Sequence, residues 1–555
     1  MPFLSISRKL ALFGTCLAAA ISFAASAAPK TVCTITVNSP DERDSFRRNL
    51  PPGDYQFVEL VERGRPDWLA SACQQQVQCD ALIISGHFDG GDVFYTDRLD
   101  DSEYLSVEEM ERASCSGSCP GVFSQLKEVY LFGCNTLKPE PRQTATEDIV
   151  RSLLRSGQSP ADALRAAGLL GEKHAGSNRD RMRHIFKDVP VIYGFSSLAP
   201  LGRTAGPLLE RYFQSAPVPE VGGGQVSGKL MSAFSNTALT VNSGLSDAEP
   251  QAGMRRDACQ LIDSRLTDAQ KVASMHEVLQ RDMAEVRMFM WHLERFASSI
   301  GPAQRATATT AAAFASIASD HAARRRYLDA AQDADDSTAR MRMVALARNI
   351  GWLTPAQEQA ELVHTIADQI ARDRVGRDEV DLACAGGRHD GKDPALQAMA
   401  AGALKSGKVA PAAAMACLGS TEAHARVLRA VTSANPEHIA MAQAYLRHRP
   451  LADVRELRSI AAGIARMPAS DAQVRALETL SQQRLADPES LREVARLFPL
   501  AKSVQVQRAI ANVLIRSDYR VLGQSDLARS LKQYRLKSPD GNDVIDALIR
   551  VLQAS

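Results

Sequence analysis

The stretch that decides the fold is residues 127–137, which read KEVYLFGCNTL. Val129 to Phe132 is a short apolar run, rich in β-branched and aromatic residues, and Gly133 ends it. Such a run predicts a strand that is buried on both faces, as in a parallel sheet. Cys134 then lies just past the carboxyl end of this strand, which is where open α/β sheets bind their ligands.

A second stretch, residues 81–87 (ALIISGH), has the same design. Its apolar run ends in Ser-Gly, and His87 takes the place that Cys134 has in the first stretch. If the two strands are neighbours, the imidazole and the thiol meet at one edge of the sheet. That is the arrangement of a nucleophile and its base.

Further strands are predicted on either side of these two, at residues 31–37, 55–61 and 189–195, with helices between them. Strands that alternate with helices at this spacing are typical of an α/β domain. We therefore predict a mostly parallel sheet with helices on both faces over residues 28–218. Residues 219–254 are predicted to be a linker.

From about Arg255 onward strand signals vanish, and Ala, Leu, Arg and Gln dominate, which predicts an all-α domain over residues 255–555. Helices there open with an N-cap residue followed by proline, as at Asp393-Pro394, Asn435-Pro436 and Asp487-Pro488. Helix pairs at intervals of roughly 30 to 50 residues resemble HEAT-like α-solenoid repeats. A plain helical bundle is the alternative. A solenoid would offer a concave surface to a protein partner.

The first 27 residues have the features of an export signal. Arg8 and Lys9 precede an apolar run from Leu10 to Phe23, and residues 25–27 (ASA) form a cleavage site. A membrane anchor is the alternative, but it needs about 20 apolar residues. We expect cleavage after Ala27, a periplasmic or secreted protein, and no membrane insertion after cleavage. The formal net charge then changes from +1 to −1, which gives no reason to expect nucleic acid as a partner.

Nine cysteines follow this segment, so at least one is unpaired in a monomer. We expect that one to be Cys134, although an inert buried cysteine is the alternative reading of this residue. Proximity or repeat spacing makes three pairs plausible, whereas connectivity does not follow from sequence. The three are Cys73–Cys79, Cys115–Cys119 and Cys384–Cys417.

The two stretches that end in His87 and Cys134 resemble the caspase-like cysteine peptidases (clan CD). This superfamily includes caspases, clostripain, gingipains, legumain, separase and the bacterial CHAT domains. The matching residues are 82–87 (LIISGH) and 129–136 (VYLFGCNT), with the cysteine 47 residues after the histidine. The resemblance covers roughly residues 31–215.

Peptide-bond attack needs a thiolate, a proton donor for the leaving amine and donors for the developing oxyanion. The resemblance implies that Cys134 is the nucleophile and His87 the general acid and base. It also implies that the backbone N–H groups of Cys134 and Phe88 bind the oxyanion, without metal or cofactor. The family usually has glycine directly after the histidine, where this chain has Phe88.

Two features bear on the substrate, which we expect to be a protein or peptide. Asp89 and Asp92 follow His87 and would favour a basic side chain, although a solvated loop is the alternative. Ser196 and Ser197 follow the strand at residues 189–195, where loops shape substrate pockets. The predicted function is that of an exported caspase-like cysteine peptidase whose helical domain recruits substrates or partners. The alternative is a non-catalytic interaction protein with a degenerate peptidase-like domain.

Two other patterns are set aside. Residues 223–229 (GGQVSGK) have the spacing of a phosphate-binding loop, but Leu230 replaces the Ser or Thr that holds magnesium. The remaining histidines lack metal-ligand spacing beside cysteines or carboxylates, so we predict no structural zinc.

Overall fold

The structure is a computed structural model. It describes residues 28–60, 69–88, 93–96, 104–117, 119–140, 150, 153–154, 159–173, 176–215, 220–386, 394–483, 485–537, 539 and 543–554. The predicted signal segment, residues 1–27, lies outside the described residues, and so do Asp89 and Asp92.

The chain divides into two compact units. The first consists of Met1–Gln143 and Ala175–Arg255, and the second of Thr144–His174 and Arg256–Ser555. The first unit contains the sheets, and the described part of the second is made of helices, in coarse agreement with the predicted fold class.

The elements up to residue 242 are mixed strands and helices. The strands are β1 (Lys30–Thr36), β2 (Tyr55–Glu59), β3 (Ala81–Ser85), β4 (His87–Phe88), β5 (Val93–Tyr95), β6 (Tyr104–Ser106), β7 (Glu128–Phe132), β8 (Val191–Phe195) and β9 (Leu239–Asn242). The helices are α1 (Asp41–Asn49), α2 (Ala70–Gln74), α3 (Val107–Ser116), α4 (Pro120–Phe123), α5 (Pro160–Lys173), α6 (Asn178–Ile185), α7 (Gly202–Phe213) and α8 (Gly228–Ala233).

The main sheet has the strand order β2-β1-β3-β7-β8-β9. Its first five strands are parallel, and only β9 is antiparallel to its neighbour β8. A second, antiparallel sheet has the order β4-β5-β6. Because β3 and β7 are adjacent, the two stretches that end in His87 and Cys134 are sheet neighbours, which is the condition for the imidazole and the thiol to meet at one edge.

Both faces of the main sheet are buried, which explains the unbroken apolar runs in its strands. Leu82, Ile84, Val129 and Leu131 pack into one core. The residues between them, which point the other way in a pleated strand, pack into another core with Phe46 of α1 and Leu209 of α7. Helices α3, α4 and α6 contribute to the first core and α1 and α7 to the second, so the sheet has helices on both faces.

The interval 219–254, predicted as a linker, differs from that prediction. It contains α8 and β9, and β9 forms the edge strand of the main sheet. All four residues of β9 are only half-buried, so this short strand lacks the apolar alternation that would have marked it.

From residue 251 onward the described elements are helices. They are α9 (Gln251–Ile262), α10 (Asp268–Leu279), α11 (Met283–Ser299), α12 (Pro302–Arg305), α13 (Ala308–Ser319), α14 (His321–Gln332), α15 (Ser337–Asn349), α16 (Pro355–Ala371), α17 (Arg377–Ala385), α18 (Pro394–Lys405), α19 (Val409–Cys417), α20 (Thr421–Ala430), α21 (Pro436–His448), α22 (Val454–Ala465), α23 (Asp471–Ser481), α24 (Pro488–Leu497), α25 (Val504–Ile515), α26 (Gln524–Tyr534) and α27 (Val544–Ala554), with short 3-10 turns at Phe498–Leu500 and Tyr519–Val521.

Two of the predicted helix starts are confirmed. Asn435 and Asp487 are N-caps whose side chains accept backbone N–H groups, and a proline follows each of them. Asp393 lies outside the described residues. From α17 onward, alternate helices contact one another: α17, α19, α21, α23, α25 and α27 form one row, and α20, α22 and α24 another. One continuous apolar core lies along this part of the unit.

The disulfides correct two of the predicted pairs. Cys33 is bonded to Cys79 and Cys73 to Cys119, so Cys73–Cys79 and Cys115–Cys119 were wrong, whereas Cys384–Cys417 is confirmed. The reason is spatial, because Cys33 on β1 lies beside the start of β3, and α2 packs on α4. Cys115 and Cys259 are disulfide-bonded as well. Cys134 is the free cysteine of the described residues, as predicted.

Candidate active site

The backbone brings His87 and Cys134 to equivalent positions on neighbouring strands. The last residues paired between β3 and β7 are Ser85 and Phe132, and the N–H of Gly86 donates to the carbonyl of Phe132 at 3.1 Å. His87 and Cys134 each follow two residues after that pair. The carboxyl ends of the two parallel strands therefore present both residues at the same edge of the sheet, close to the switch in strand order between β1 and β3.

Gly133 allows the two strand ends to approach closely. A β-carbon on Gly133 would lie 3.0 Å from the carbonyl oxygen of Gly86, from Cβ of Phe88 and from Cε1 of Phe94. Backbone and side chains of the His87 segment thus pass directly over this position. Only glycine fits there without displacing them.

The Cys134 side chain is half-buried, and its sulfur has a defined partner. The backbone N–H of Ala199 donates to Sγ of Cys134 at 3.4 Å. The next residue, Asn135, has a left-handed backbone with φ of 60°, a conformation that asparagine tolerates better than most residues. Its N–H donates to the carbonyl of Ser197 at 2.7 Å, and its carbonyl accepts from Nδ2 of Asn178 at 3.0 Å.

Thr136 connects the turn that contains Cys134 to strand β8 by hydrogen bonds. Its hydroxyl donates to the carbonyl of Gly133 at 3.2 Å and accepts the N–H of Phe195 at 3.0 Å. One residue on, the N–H of Leu137 donates to the carbonyl of Phe195 at 3.0 Å. A β-carbon on Gly194 would lie 2.7 Å from the Thr136 hydroxyl oxygen, so glycine is needed there too. The cysteine turn is thereby held from β8 as well as from β3.

His87 is half-buried and begins the second sheet. It pairs with Tyr95 across β4 and β5, and the two rings lie 5.5 Å apart between centroids. Phe88, which stands where caspase-like peptidases usually have glycine, is buried, and its ring lies 4.6 Å from that of Phe94. The bulky side chain is therefore accommodated in the core. The role of the Phe88 and Cys134 N–H groups as oxyanion donors stays a prediction.

The predicted substrate residues lie partly within the described chain. Ser196 donates its N–H and its hydroxyl to the carbonyl of Ala238, at 3.0 and 3.4 Å, and is thus part of the loop's own support. Ser197 binds Asn135 through its carbonyl and has an exposed side chain. A substrate contact by either serine stays a prediction, as does one by Asp89 or Asp92, which lie outside the described residues.

Comparisons with protein-family models, with curated proteins and with solved structures were made for the whole chain. None of the three finds a match.

Sequence reasoning missed one residue at the site and one buried carboxylate elsewhere in the first unit. Ala199 donates through its backbone, so no side-chain pattern could have indicated it. Glu42 occupies the first turn of α1, where carboxylates are usually solvated, but it is only 3% exposed, and Oε2 is buried without a hydrogen-bond partner. Burial raises the pKa of Glu42 to about 7. The negative charge of Asp41 also raises this pKa, whereas a hydrogen bond from the backbone of Glu42 lowers it.

The glycine-rich segment set aside above holds an internal carboxylate. The N–H groups of Gly222, Gly223 and Gly224 donate to the carboxylate of Glu128 at 3.0–3.1 Å. Tyr130 donates its hydroxyl to the same group at 2.6 Å, and burial together with Glu128 raises the pKa of this phenol. This anion-binding turn lies at the start of β7, the opposite edge from Cys134.

Within the described ranges, no cluster of three or more His, Cys, Asp or Glu side chains has an arrangement that would hold a metal ion. Among the same residues, no helix combines the length and the apolar character that crossing a membrane requires.

Proposed function

We propose that this chain is a caspase-like cysteine peptidase in which His87 and Cys134 form the catalytic dyad. The observation that carries the proposal is the shared position of the two residues, each two residues beyond the Ser85–Phe132 pair of adjacent parallel strands. A mostly parallel sheet with helices on both faces is also what the caspase-like resemblance implies.

The state of the cysteines supports the same conclusion. Among the described residues, eight cysteines are disulfide-bonded, and Cys134 is the free one. Disulfides of this number fit an exported protein, since they persist in oxidising compartments. A single thiol kept free at the ligand-binding edge of a sheet is the residue that covalent catalysis needs.

The proposed reaction has two steps. The thiolate of Cys134 attacks the carbonyl carbon of the scissile peptide, and the negative oxygen that forms is bound by the backbone N–H groups of Cys134 and Phe88. The C–N bond then breaks while His87 gives a proton to the leaving amine, which leaves an acyl group on sulfur. Water then attacks the acyl carbon while His87 accepts one of its protons, the C–S bond breaks, and the acid leaves with the Cys134 thiolate and the proton on His87 restored.

The helical unit is proposed to recruit the substrate or a partner protein. Its two rows of alternately contacting helices support a HEAT-like solenoid over a plain bundle, because stacked repeats contact their nearest neighbours in this way. Export to the periplasm or beyond is part of the same proposal.

The test compares four forms of the mature chain on a peptide library, read by mass spectrometry: wild type, Cys134→Ser, His87→Ala and His364→Ala. His364 is an exposed histidine on α16 and serves as the control. We expect wild type and His364→Ala to cleave equally. Cys134→Ser should have no activity, and His87→Ala should be about 10²- to 10⁴-fold slower. Equal cleavage by all four forms, or none by wild type, would contradict the proposal.

A second candidate is a non-catalytic interaction protein, which the oxidised state of the other cysteines favours. An exposed thiolate is oxidised readily in the compartment that keeps disulfides intact. If this candidate is correct, the rate of Cys134 alkylation by iodoacetamide should be no higher in the native chain than in the urea-unfolded chain. Cys134→Ser should also keep every binding partner of the wild-type chain.

A further inference from the structure

The loop at residues 196–201, which follows β8, contacts the proposed nucleophile through one backbone group. We propose that the N–H of Ala199 positions the sulfur of Cys134 and stabilises its thiolate, as a third component beside the His87–Cys134 dyad. The inference rests on the proposed function for its catalytic meaning. Its basis is the 3.4 Å hydrogen bond from the Ala199 nitrogen to Sγ of Cys134.

The donor is held in place from both ends of its loop. Before it, Ser197 accepts the N–H of Asn135, and Ser196 donates to Ala238, so the loop is tied to the cysteine turn and to the segment before β9. After it, Pro200 restricts Ala199 to extended backbone conformations. The carbonyl of Leu201 then accepts the N–H groups of Thr204 and Ala205 at the start of α7.

A backbone donor of this kind acts differently from an oxyanion donor. It binds sulfur, where the negative charge lies before attack, and the charge leaves sulfur as the C–S bond forms. A hydrogen bond to the charged form raises the thiolate fraction at a given pH. The N–H also selects one orientation of the cysteine side chain. Because a backbone group has no rotamers to lose, the loop provides this orientation without ordering another side chain.

This mechanism predicts an effect that depends on pH. Where the thiolate is the minor form, loss of the donor lowers the reactivity of Cys134. At high pH the thiolate forms in any case, so the loss has little effect. A loop that only shaped the site would change the reactivity by a similar factor at every pH.

The sharpest variant replaces Ala199 with lactic acid by nonsense suppression in cell-free translation. This turns the amide into an ester, so that an oxygen without a proton replaces the N–H while the side chain is kept. Ala199→Pro also removes the donor, and the matched control is the chain made by the same suppression with alanine at position 199, which restores the amide. The readout is the rate of Cys134 alkylation by iodoacetamide from pH 6 to pH 10, located by mass spectrometry in the full chain.

We expect the ester form to react about tenfold more slowly than wild type at pH 6.5, because a hydrogen bond to a charged group contributes a free energy that corresponds to at least this factor. At pH 10 the two rates should agree within about twofold. The chain with alanine restored by suppression should follow the wild-type profile. Equal rates for the ester and wild-type forms at pH 6.5 would overturn the inference, and so would an equal loss at both pH values. The assay needs no peptide cleavage, so an inactive wild-type chain would contradict the proposed function and leave this result readable.

Discussion

The carbonyl oxygen of Gly86 lies 3.0 Å from the point where a β-carbon on Gly133 would be placed. Gly133→Ala therefore forces the ends of β3 and β7 apart or shifts Phe88 and Phe94. We expect a loss of about 1 to 3 kcal/mol in the free energy of unfolding, which is typical of overpacking, and slower alkylation of Cys134. Hydrogen exchange of β7 peptides, compared with wild type, measures the first effect.

Gly53→Ala is the control for this variant, because no atom lies within 4 Å of a β-carbon built on Gly53. It should leave both readouts unchanged. If Gly133→Ala showed the same hydrogen-exchange and alkylation rates as wild type, the strand ends would have space for a β-carbon, and the prediction would be wrong.

Glu42 makes stability depend on pH. Its pKa is raised by burial from 4.5 to about 7, so between these values the folded chain binds a proton that the unfolded chain releases. The free energy of unfolding should fall by about 3 kcal/mol as the pH rises from 4.5 to 7 and stay level above. Glu42→Gln should remove this fall and exceed wild type in stability at pH 8.

The measurement for Glu42 is hydrogen exchange of α1 and β1 peptides in wild type and Glu42→Gln, compared at pH 5 and again at pH 8. Comparison at one pH cancels the intrinsic exchange rate. If the two proteins differ equally at both pH values, Glu42 does not titrate as described.

Glu128 is the acceptor for four donors, three of them backbone N–H groups of consecutive glycines. Glu128→Gln presents an amide group to those donors and leaves at least one unpaired, so we expect a loss of about 3 kcal/mol in the free energy of unfolding. Glu220→Gln is the control, since the ion pair of Glu220 with Lys30 is exposed and worth less than about 1 kcal/mol. Urea unfolding of the full chain, followed by circular dichroism, compares the two.

The disulfide connectivity is directly testable. Peptide mapping without reduction should find Cys33 linked to Cys79 and Cys73 to Cys119, and a Cys73–Cys79 peptide would contradict the structure. Each bond spans 46 residues, for which the chain-entropy estimate is about 4 kcal/mol. The double variant Cys73→Ser/Cys119→Ser should lose stability of this order in urea.

Leu198 precedes the Ala199 donor and is 76% exposed. An apolar side chain at this position would gain by contact with an apolar side chain of the substrate. Leu198→Ser should therefore raise KM about tenfold for such peptides while kcat stays unchanged. Val226→Ser removes another exposed apolar side chain of the first unit, at 54%, and should leave KM unaltered. A fall in kcat with an unchanged KM would contradict a role of Leu198 in substrate binding.

The sequence predicted the parts of the site that depend on strand pattern. Residues 129–132 and 81–85 lie in β7 and β3, and the predicted strand at 189–195 contains β8, because a strand buried on both faces is apolar throughout. The shared edge of His87 and Cys134 follows from the pairing of those strands. The N-caps Asn435 and Asp487 were predicted as well, because helix capping depends on residues that are close together in the sequence.

What escaped prediction depends on tertiary contacts. Cys33 and Cys79 are far apart in sequence and meet only because β1 pairs with β3. Glu42 is a carboxylate in a first helical turn, and its burial follows from packing that no local pattern reports. Strand β9 is defined by its pairing with β8 at the edge of the main sheet. The Ala199 donor is a backbone N–H, so no pattern of side chains could have predicted it.

The Cys73–Cys119 bond has a consequence for a chain whose backbone is cut. A single cleavage anywhere between these two cysteines yields two polypeptides, and the bond keeps them joined. A cut after residue 88 would place His87 on the first polypeptide and Cys134 on the second. The molecule would then be a covalent two-chain form with its dyad shared between the chains, and it would separate at this point only under reducing conditions.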